Sequence, residues 1–335
     1  MRTMSFTQAI DDALAQAMNG DPRIVIFGED TPLIRRGLHV RFGSKRVRGT
    51  PISESAFVGA AVAASMAGLH PVVELWLVDF LTVCMDGLVN HAAKVEAFSG
   101  GRWTAPLVIR APCGAGYGDA GQHEQSLWGW LAHIPGLTVV VPSTPADAGG
   151  LMTASLQHEG PVVFLESKLL SESWLDFLGG ARTTLKYDIP SQGARGMVPS
   201  RWEAAPLGTA LVRRAGGDLT IVSVGVGVHR GLEAASLLQQ EGLDAGVLDL
   251  RTVSPLDRTR VCAEVAQTGR LLVVDEDYEG FGLSGELMAV VAEAGIQCRL
   301  ARVCTRETIP YAWRLQEAVL PTRDRICSAA RQLMQ

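Results

Sequence analysis

Short apolar runs alternate with helical segments through most of this chain, and the runs carry little internal polar alternation. That pattern constrains the fold more than any other feature. A strand with one wet face alternates apolar and polar residues, whereas a strand covered on both faces reads as a continuous run. Residues 24–27, 71–76, 107–110, 139–141 and 162–165 are such runs. The segments between them read as helices: one capped by Ser5 with Ile10, Leu14 and Met18 at helical spacing, then residues 56–68, 80–98 and 146–157. A second series follows, with strands at 219–224, 245–248, 271–274 and 298–303 and helices at 228–240, 282–294 and 322–333. The expected fold is α/β, with two parallel or mixed sheets and helices on both faces. Residues 1–175 make the first domain and 207–335 the second. Residues 176–206, within a stretch rich in Gly, Pro, Ser and Arg, read as the linker. Residues 35–48 read as a basic, irregular segment.

Hydrophobic residues at 47% and charged residues at 19% supply a sizeable core and exclude disorder over most of the length. The net charge of -5 argues against a nucleic-acid binder, which works by neutralising phosphates. The most apolar stretch, residues 57–69, is shorter than the roughly 20 residues a membrane span needs. The first six residues lack the apolar centre of a secretion signal. The expectation is a soluble, cytoplasmic protein with no membrane contact. The six cysteines form no C-x-x-C pair, so they read as buried free thiols.

Several polar and aromatic residues sit where strands turn into helices, the corners at which parallel sheets place ligands. Glu54 follows the turn at Pro51 and opens an apolar helix. It reads equally as an acid complementing the helix dipole and as a carboxyl facing a cofactor. Phe80 follows Asp79 at the next corner, as a core ring or a stacking platform. His123 lies in Gly121-Gln122-His123-Glu124-Gln125 after a glycine-rich approach, as an acid–base group or a surface residue. Glu29 ends the first apolar run, with turn polarity as its plainer reading. Gly114-Ala115-Gly116-Tyr117-Gly118 lacks G-x-G-x-x-G spacing, and there is no P-loop, G-x-S-x-G or H-E-x-x-H motif.

A set of segments, in order along nearly the whole chain, carries a resemblance. They are Phe27-Gly28-Glu29-Asp30, Arg46-Val47-Arg48-Gly49 leading into Thr50-Pro51-Ile52-Ser53-Glu54-Ser55, Val78-Asp79-Phe80 and Asn90-His91-Ala92-Ala93-Lys94. Ser99-Gly100-Gly101, Pro106-Leu107-Val108-Ile109-Arg110, His133-Ile134-Pro135-Gly136-Leu137, Pro142-Ser143-Thr144-Pro145 and Pro161-Val162-Val163-Phe164-Leu165-Glu166 continue it. Leu250-Arg251-Thr252-Val253-Ser254-Pro255-Leu256-Asp257 and Pro310-Tyr311-Ala312 extend it to the second domain. Together they resemble the β subunit of the thiamine-diphosphate-dependent 2-oxo acid dehydrogenases, the decarboxylating component of the pyruvate, branched-chain and acetoin complexes.

The resemblance implies a pyrimidine-binding first domain and a transketolase-like C-terminal domain. It places Glu54 on the pyrimidine ring nitrogen of the cofactor, where a carboxyl favours the tautomer that deprotonates the thiazolium carbon. It places Phe80 against the aminopyrimidine, His123 near the reacting carbon and Glu29 at the mouth of the site. Trp76 joins the cofactor-binding residues. The superfamily's G-D-G followed by an Asn, which holds the diphosphate and Mg2+, is missing; Gly118-Asp119-Ala120 lacks the last glycine and sits in another loop. The implied partner is an α subunit that supplies that half, in an α2β2 heterotetramer serving a lipoyl acyltransferase core. The implied reaction decarboxylates a 2-oxo acid and passes the acyl group to lipoamide. A split transketolase-like carboligase and a non-catalytic scaffold are the alternatives, and retention of Glu54, Phe80 and His123 argues against the scaffold.

Departures from the family pattern bear on substrate. The chain is short between Asp30 and Gly37, where Ile34-Arg35-Arg36 stands; Glu124 replaces a usual Ser; and Trp76 replaces a smaller residue. His158 stands where an Asp would serve a cation loop, which puts a structural potassium ion in question. The expected substrate is a specialised 2-oxo acid or acyl-transfer substrate, with ordinary pyruvate less favoured.

Overall fold

Ser5 begins the first helix, α1 (Phe6–Gly20), through a reciprocal cap. Its hydroxyl accepts the Gln8 N–H, and the Gln8 side chain accepts the Ser5 N–H. Two donors that a helix start leaves orphaned are thereby satisfied. Phe6, Ile10, Leu14 and Met18 then fall on one face and are buried. The computed structural model describes residues 1–116, 118–119, 121–171 and 194–335. The expected linker of residues 176–206 therefore lies outside the described residues as far as residue 193.

The strands are β1 (Arg2–Ser5), β2 (Ile24–Glu29), β3 (Val47–Thr50), β4 (His70–Glu74), β5 (Val108–Cys113), β6 (Thr138–Val140), β7 (Val162–Ser167), β8 (Arg195–Val198), β9 (Leu211–Arg214), β10 (Leu219–Ser223), β11 (Ala245–Asp249), β12 (Thr252–Ser254), β13 (Arg270–Tyr278) and β14 (Arg299–Thr305). One sheet runs β12-β6-β7-β5-β4-β2-β3 and is parallel except for β12. The second runs β14-β13-β10-β11-β9 and is parallel except for β9. A small antiparallel pair joins β1 to β8. The α/β architecture with two mostly parallel sheets is the one the apolar runs predict. Helices α2 (Thr31–Ile34), α3 (Arg36–Phe42), α4 (Glu54–Met66), α5 (Val95–Ser99), α6 (Trp128–Ala132) and α7 (Pro145–Ser155) serve the first sheet. Helices α8 (Val226–Gln240), α9 (Arg258–Thr268), α10 (Leu283–Glu293), α11 (Trp313–Val319) and α12 (Arg323–Met334) complete the second half.

Two segments differ from expectation. Residues 35–48 are not irregular: they hold α3 and the edge strand β3. Their basic side chains hide the order because edge positions need little apolar surface. The expected helix over 80–98 is instead three pieces: a 3-10 segment Val78–Cys84, a π-helical segment Asp86–Ala92, and α5. A change in hydrogen-bond spacing leaves no mark on apolar periodicity, so sequence reads all three as one helix.

The two halves are fastened together. Strand β12 comes from the second half and pairs with β6 of the first sheet. One apolar core includes Val139 and Val141 from the first half with Leu248, Leu250 and Leu283 from the second. Arg213 pairs with both Asp147 and Asp249, and Ser143 donates to Asp249. Trp128 Nε1 donates to Asp275 at 2.9 Å, and the Gly129 N–H donates to Asp277 at 2.8 Å. Burial and the neighbouring Asp277 push the Asp275 carboxyl up to about 7. All six cysteines are free, and four of them are buried.

A charged cluster is buried beneath the first sheet. Arg110 of β5 is fully buried and pairs with Glu166 of β7 at 2.7 Å, with Asp11 of α1 at 3.2 Å and with Glu74 of β4 at 3.3 Å. Arg35 closes the cluster, forked onto Glu74 at 3.1 and 2.9 Å. Glu166 also accepts from Thr7. Removing one ion from such a cluster strands its partners, at a cost of about 3–5 kcal/mol. Arg110→Met is therefore expected to lose about that much unfolding free energy in urea titration. A loss below about 1 kcal/mol would show that the cluster reorganises around the gap.

Candidate functional site

Parallel strands send their C-terminal ends to the same edge of a sheet, and ligands gather there. Four neighbouring parallel strands, β5-β4-β2-β3, do so here. Strand β2 ends at Glu29. Strand β3 ends at Thr50, and the chain turns into α4 at Glu54. Strand β4 ends at Glu74 and leads through Trp76 to Phe80. Strand β5 ends at Cys113 and leads into the loop carrying His123. The five sequence-predicted residues, far apart in the chain, thus follow the same edge. Gly28 permits the tight packing beneath them, because a Cβ there would lie 2.1 Å from the Glu74 carbonyl oxygen.

Within this edge the residues fall into two groups. The rings of Phe80 and His123 meet edge to face, with centroids 5.8 Å apart. Glu29 feels the charge of Glu54: partial burial, then Asp30 and Glu54, raise the Glu29 carboxyl above its ordinary range. No hydrogen bond or ring contact joins Glu54 to Phe80 or His123 among the described residues. Glu54, Phe80, His123, Glu29 and Trp76 are all half-buried. Around Glu54, residues 51–53 and 55–56 are exposed.

Unused polar atoms collect at the same edge. Thr31 Oγ1, Thr50 Oγ1, Asp79 Oδ2, His123 Nδ1 and Ser126 Oγ are buried with no hydrogen-bond partner among the described residues. Each such group costs about 1–3 kcal/mol if left so, which makes a cluster of them the mark of a missing ligand or partner. A carboxylate, an aromatic ring and an imidazole with spare polar atoms suit a planar nitrogen heterocycle such as an aminopyrimidine. Among the described residues no group of three or more His, Cys, Asp and Glu could hold a metal ion. His158 bonds Thr138 Oγ1 through its ring at 3.2 Å, and an imidazole is a poor ligand for a hard alkali cation.

Sequence reasoning missed three further residues here. Asp79 accepts from Gln125 Nε2 at 2.7 Å, and burial raises its carboxyl. Lys168 is buried at the end of β7 and donates to the His123 carbonyl, and burial lowers its ammonium. Glu124 is fully buried and accepts from the N–H groups of Gly116 and Gly118. The available signal was adjacency: Asp79 precedes Phe80, Glu124 follows His123, and Lys168 ends an apolar run at the same sheet edge.

Glu54→Gln removes one of the charges acting on Glu29. The Glu29 pKa is then expected to fall, as read by carboxyl NMR titration of glutamate-labelled protein. An unchanged value would show that the two carboxylates are electrostatically separate.

No helix among the described residues is long and apolar enough to cross a membrane. Residues 2–172 match the transketolase pyrimidine-binding domain, and residues 208–326 match the transketolase C-terminal domain. The chain is 37% identical to the acetoin:2,6-dichlorophenolindophenol oxidoreductase subunit beta of Cupriavidus necator, over 99% of this chain and 98% of that protein. It is 35% identical to the pyruvate dehydrogenase E1 component subunit beta of Bacillus subtilis over the full length of both. It is 33% identical to the 2-oxoisovalerate dehydrogenase subunit beta of the same organism, over 99% of each. A solved split-gene transketolase, an inactive beta4 tetramer, shares the fold with a TM-score of 0.77 at 20% identity, over 99% of this chain and 98% of that one. The chain therefore belongs to the family of β subunits of the thiamine-diphosphate-dependent 2-oxo acid and acetoin dehydrogenases.

Proposed function

We propose that this chain is the β half of an enzyme that decarboxylates a 2-oxo acid and passes the acyl group to lipoamide. The observation that carries the proposal is that Glu29, Glu54, Phe80 and His123 all follow the C-terminal ends of four adjacent parallel strands. Bound thiamine diphosphate supplies the electron sink for decarboxylation. Glu54 would hold the pyrimidine ring nitrogen through its carboxyl, and Phe80 would offer its ring face to the aminopyrimidine. Trp76, on the turn between β4 and Phe80, would join them. His123 would exchange a proton with the substrate or the incoming acyl acceptor, through Nδ1, which has no hydrogen-bond partner among the described residues. Glu29 sets a negative charge at the mouth of the site.

An α subunit completes this site in our reading, holding the diphosphate and Mg2+ in an α2β2 assembly. Surface chemistry beside Glu54 supports it. Helix α4 is apolar on nearly every face, yet Ala56, Ala60, Ala63 and Met66 are exposed. An all-apolar helix is normally covered. Ser55 donates to the Val83 carbonyl, and an apolar groove of about 550 Å³ runs from Ser55 past Gly59 and Met66 to Phe98 and Trp103. Phe98 is 80% exposed and Ile52 75%. Large apolar surface of this kind marks a docking face.

The segment after Asp30 supports a specialised substrate. It is short, and Arg35 pins it to Glu74. The substrate assignment is measured by decarboxylation of a panel of 2-oxo acids with an artificial electron acceptor. Pyruvate turning over as fast as any other acid counts against it. In the reconstituted α–β pair, Glu54→Gln is expected to lower turnover by about 10²-fold or more. Unchanged turnover would overturn the role of Glu54.

A further inference from the structure

His123 is held on both sides by groups that the proposed chemistry does not use. Its backbone carbonyl accepts from the Lys168 ammonium, which is 1% exposed. The next residue, Glu124, is 0% exposed. One of its oxygens accepts from the N–H of Gly116 at 3.0 Å and of Gly118 at 3.1 Å, closing the glycine-rich approach into a tight loop. The other accepts from Gln316 Nε2, which reaches across from α11 of the second half. Gln125 donates to Asp79, the neighbour of Phe80, and the Gly114 N–H donates to the Gln125 carbonyl at 2.9 Å. Lys168 faces Glu124 and Asp79, and their charges offset part of the cost of burying its ammonium. The backbone on either side of His123 is thus tied to the end of β7, to the glycine loop and to the second half, while His123 Nδ1 has no hydrogen-bond partner among the described residues.

We propose that Lys168 and Glu124 are positioning residues that hold the His123 ring against Phe80 and aim it at the reacting carbon, with Gln316 coupling the second half of the chain to that geometry. The proposal rests on the role given to His123 above. Reactive groups need placement within a fraction of an ångström, and a displacement of about 1 Å costs up to about 10²-fold in rate.

The test uses the α–β holoenzyme with Lys168→Met and Glu124→Gln, each alone and combined with His123→Ala. Lys168→Met is expected to lower kcat by about tenfold or more while KM for thiamine diphosphate stays within about twofold. In the His123→Ala background the same change is expected to cost no more than about twofold, because residues acting through one group do not multiply. Glu124→Gln keeps an oxygen for the two glycine N–H groups, and it decides on the same criteria if the lysine variant fails to assemble. Carbethoxylation of His123 by diethyl pyrocarbonate, followed by peptide mass spectrometry, is expected to speed up severalfold in either variant. Losses that multiply in the His123→Ala background, or an unchanged modification rate, would overturn the positioning role alone. A His123→Ala enzyme as active as the parent would instead overturn the role of His123, and this proposal with it.

Discussion

Arg110 is the charge around which the first half is organised. A guanidinium in the middle of a parallel strand, with no water to solvate it, requires carboxylates within reach. It finds Glu74 and Glu166 on the strands to either side and Asp11 on α1. Arg35 then uses the far side of Glu74 and draws the segment after β2 against the sheet. The same five ions therefore set the spacing of β4, β5 and β7, seat α1, and fix where the chain goes after Glu29. The carboxylates outnumber the arginines, and burial accordingly raises the Asp11 carboxyl while the arginines hold Glu74 and Glu166 below their ordinary range.

The candidate site at this sheet edge is built in two parts that differ in how they are supported. Phe80 and His123 touch, and a buried polar network runs behind them through Asp79, Gln125, Glu124 and Lys168. Glu54 stands apart, at the start of a helix whose outer face is exposed and apolar. Phe80 and His123 are backed by this chain's own polar groups, whereas Glu54 has exposed neighbours on both sides, one of which, Ser55, borders an apolar groove. That asymmetry is what the proposed sharing of the site with a second subunit would require. Low dielectric strengthens the polar interactions of a site only once water is excluded, and the residues around Glu54 are exposed in this chain.

Much of this was legible in the amino-acid order. Continuous apolar runs announced parallel strands covered on both faces, and Ser5 announced the first helix. The corner positions of Glu29, Glu54, Phe80 and His123 followed from the same reading. The order hidden in residues 35–48 was not legible, because an edge strand and a short surface helix need little apolar surface. The division of residues 78–99 into three kinds of turn was not legible either, because hydrogen-bond spacing leaves composition unchanged. The burial of Lys168 and Glu124 was not legible either, because nothing in their neighbouring residues marks a charge that the fold takes out of water.

Sequence by itself determined the fold class, the strand–helix rhythm and which residues stand at strand ends, since burial on two faces and turn chemistry are local demands on residue type. Tertiary structure alone decided that β5, β4, β2 and β3 lie side by side, so that residues nearly a hundred positions apart share one edge. It also decided that β12 crosses into the first sheet and that Lys168 meets the His123 carbonyl. Those outcomes depend on which surfaces pack together and which charges must find partners away from water, and neither is a property of any one segment.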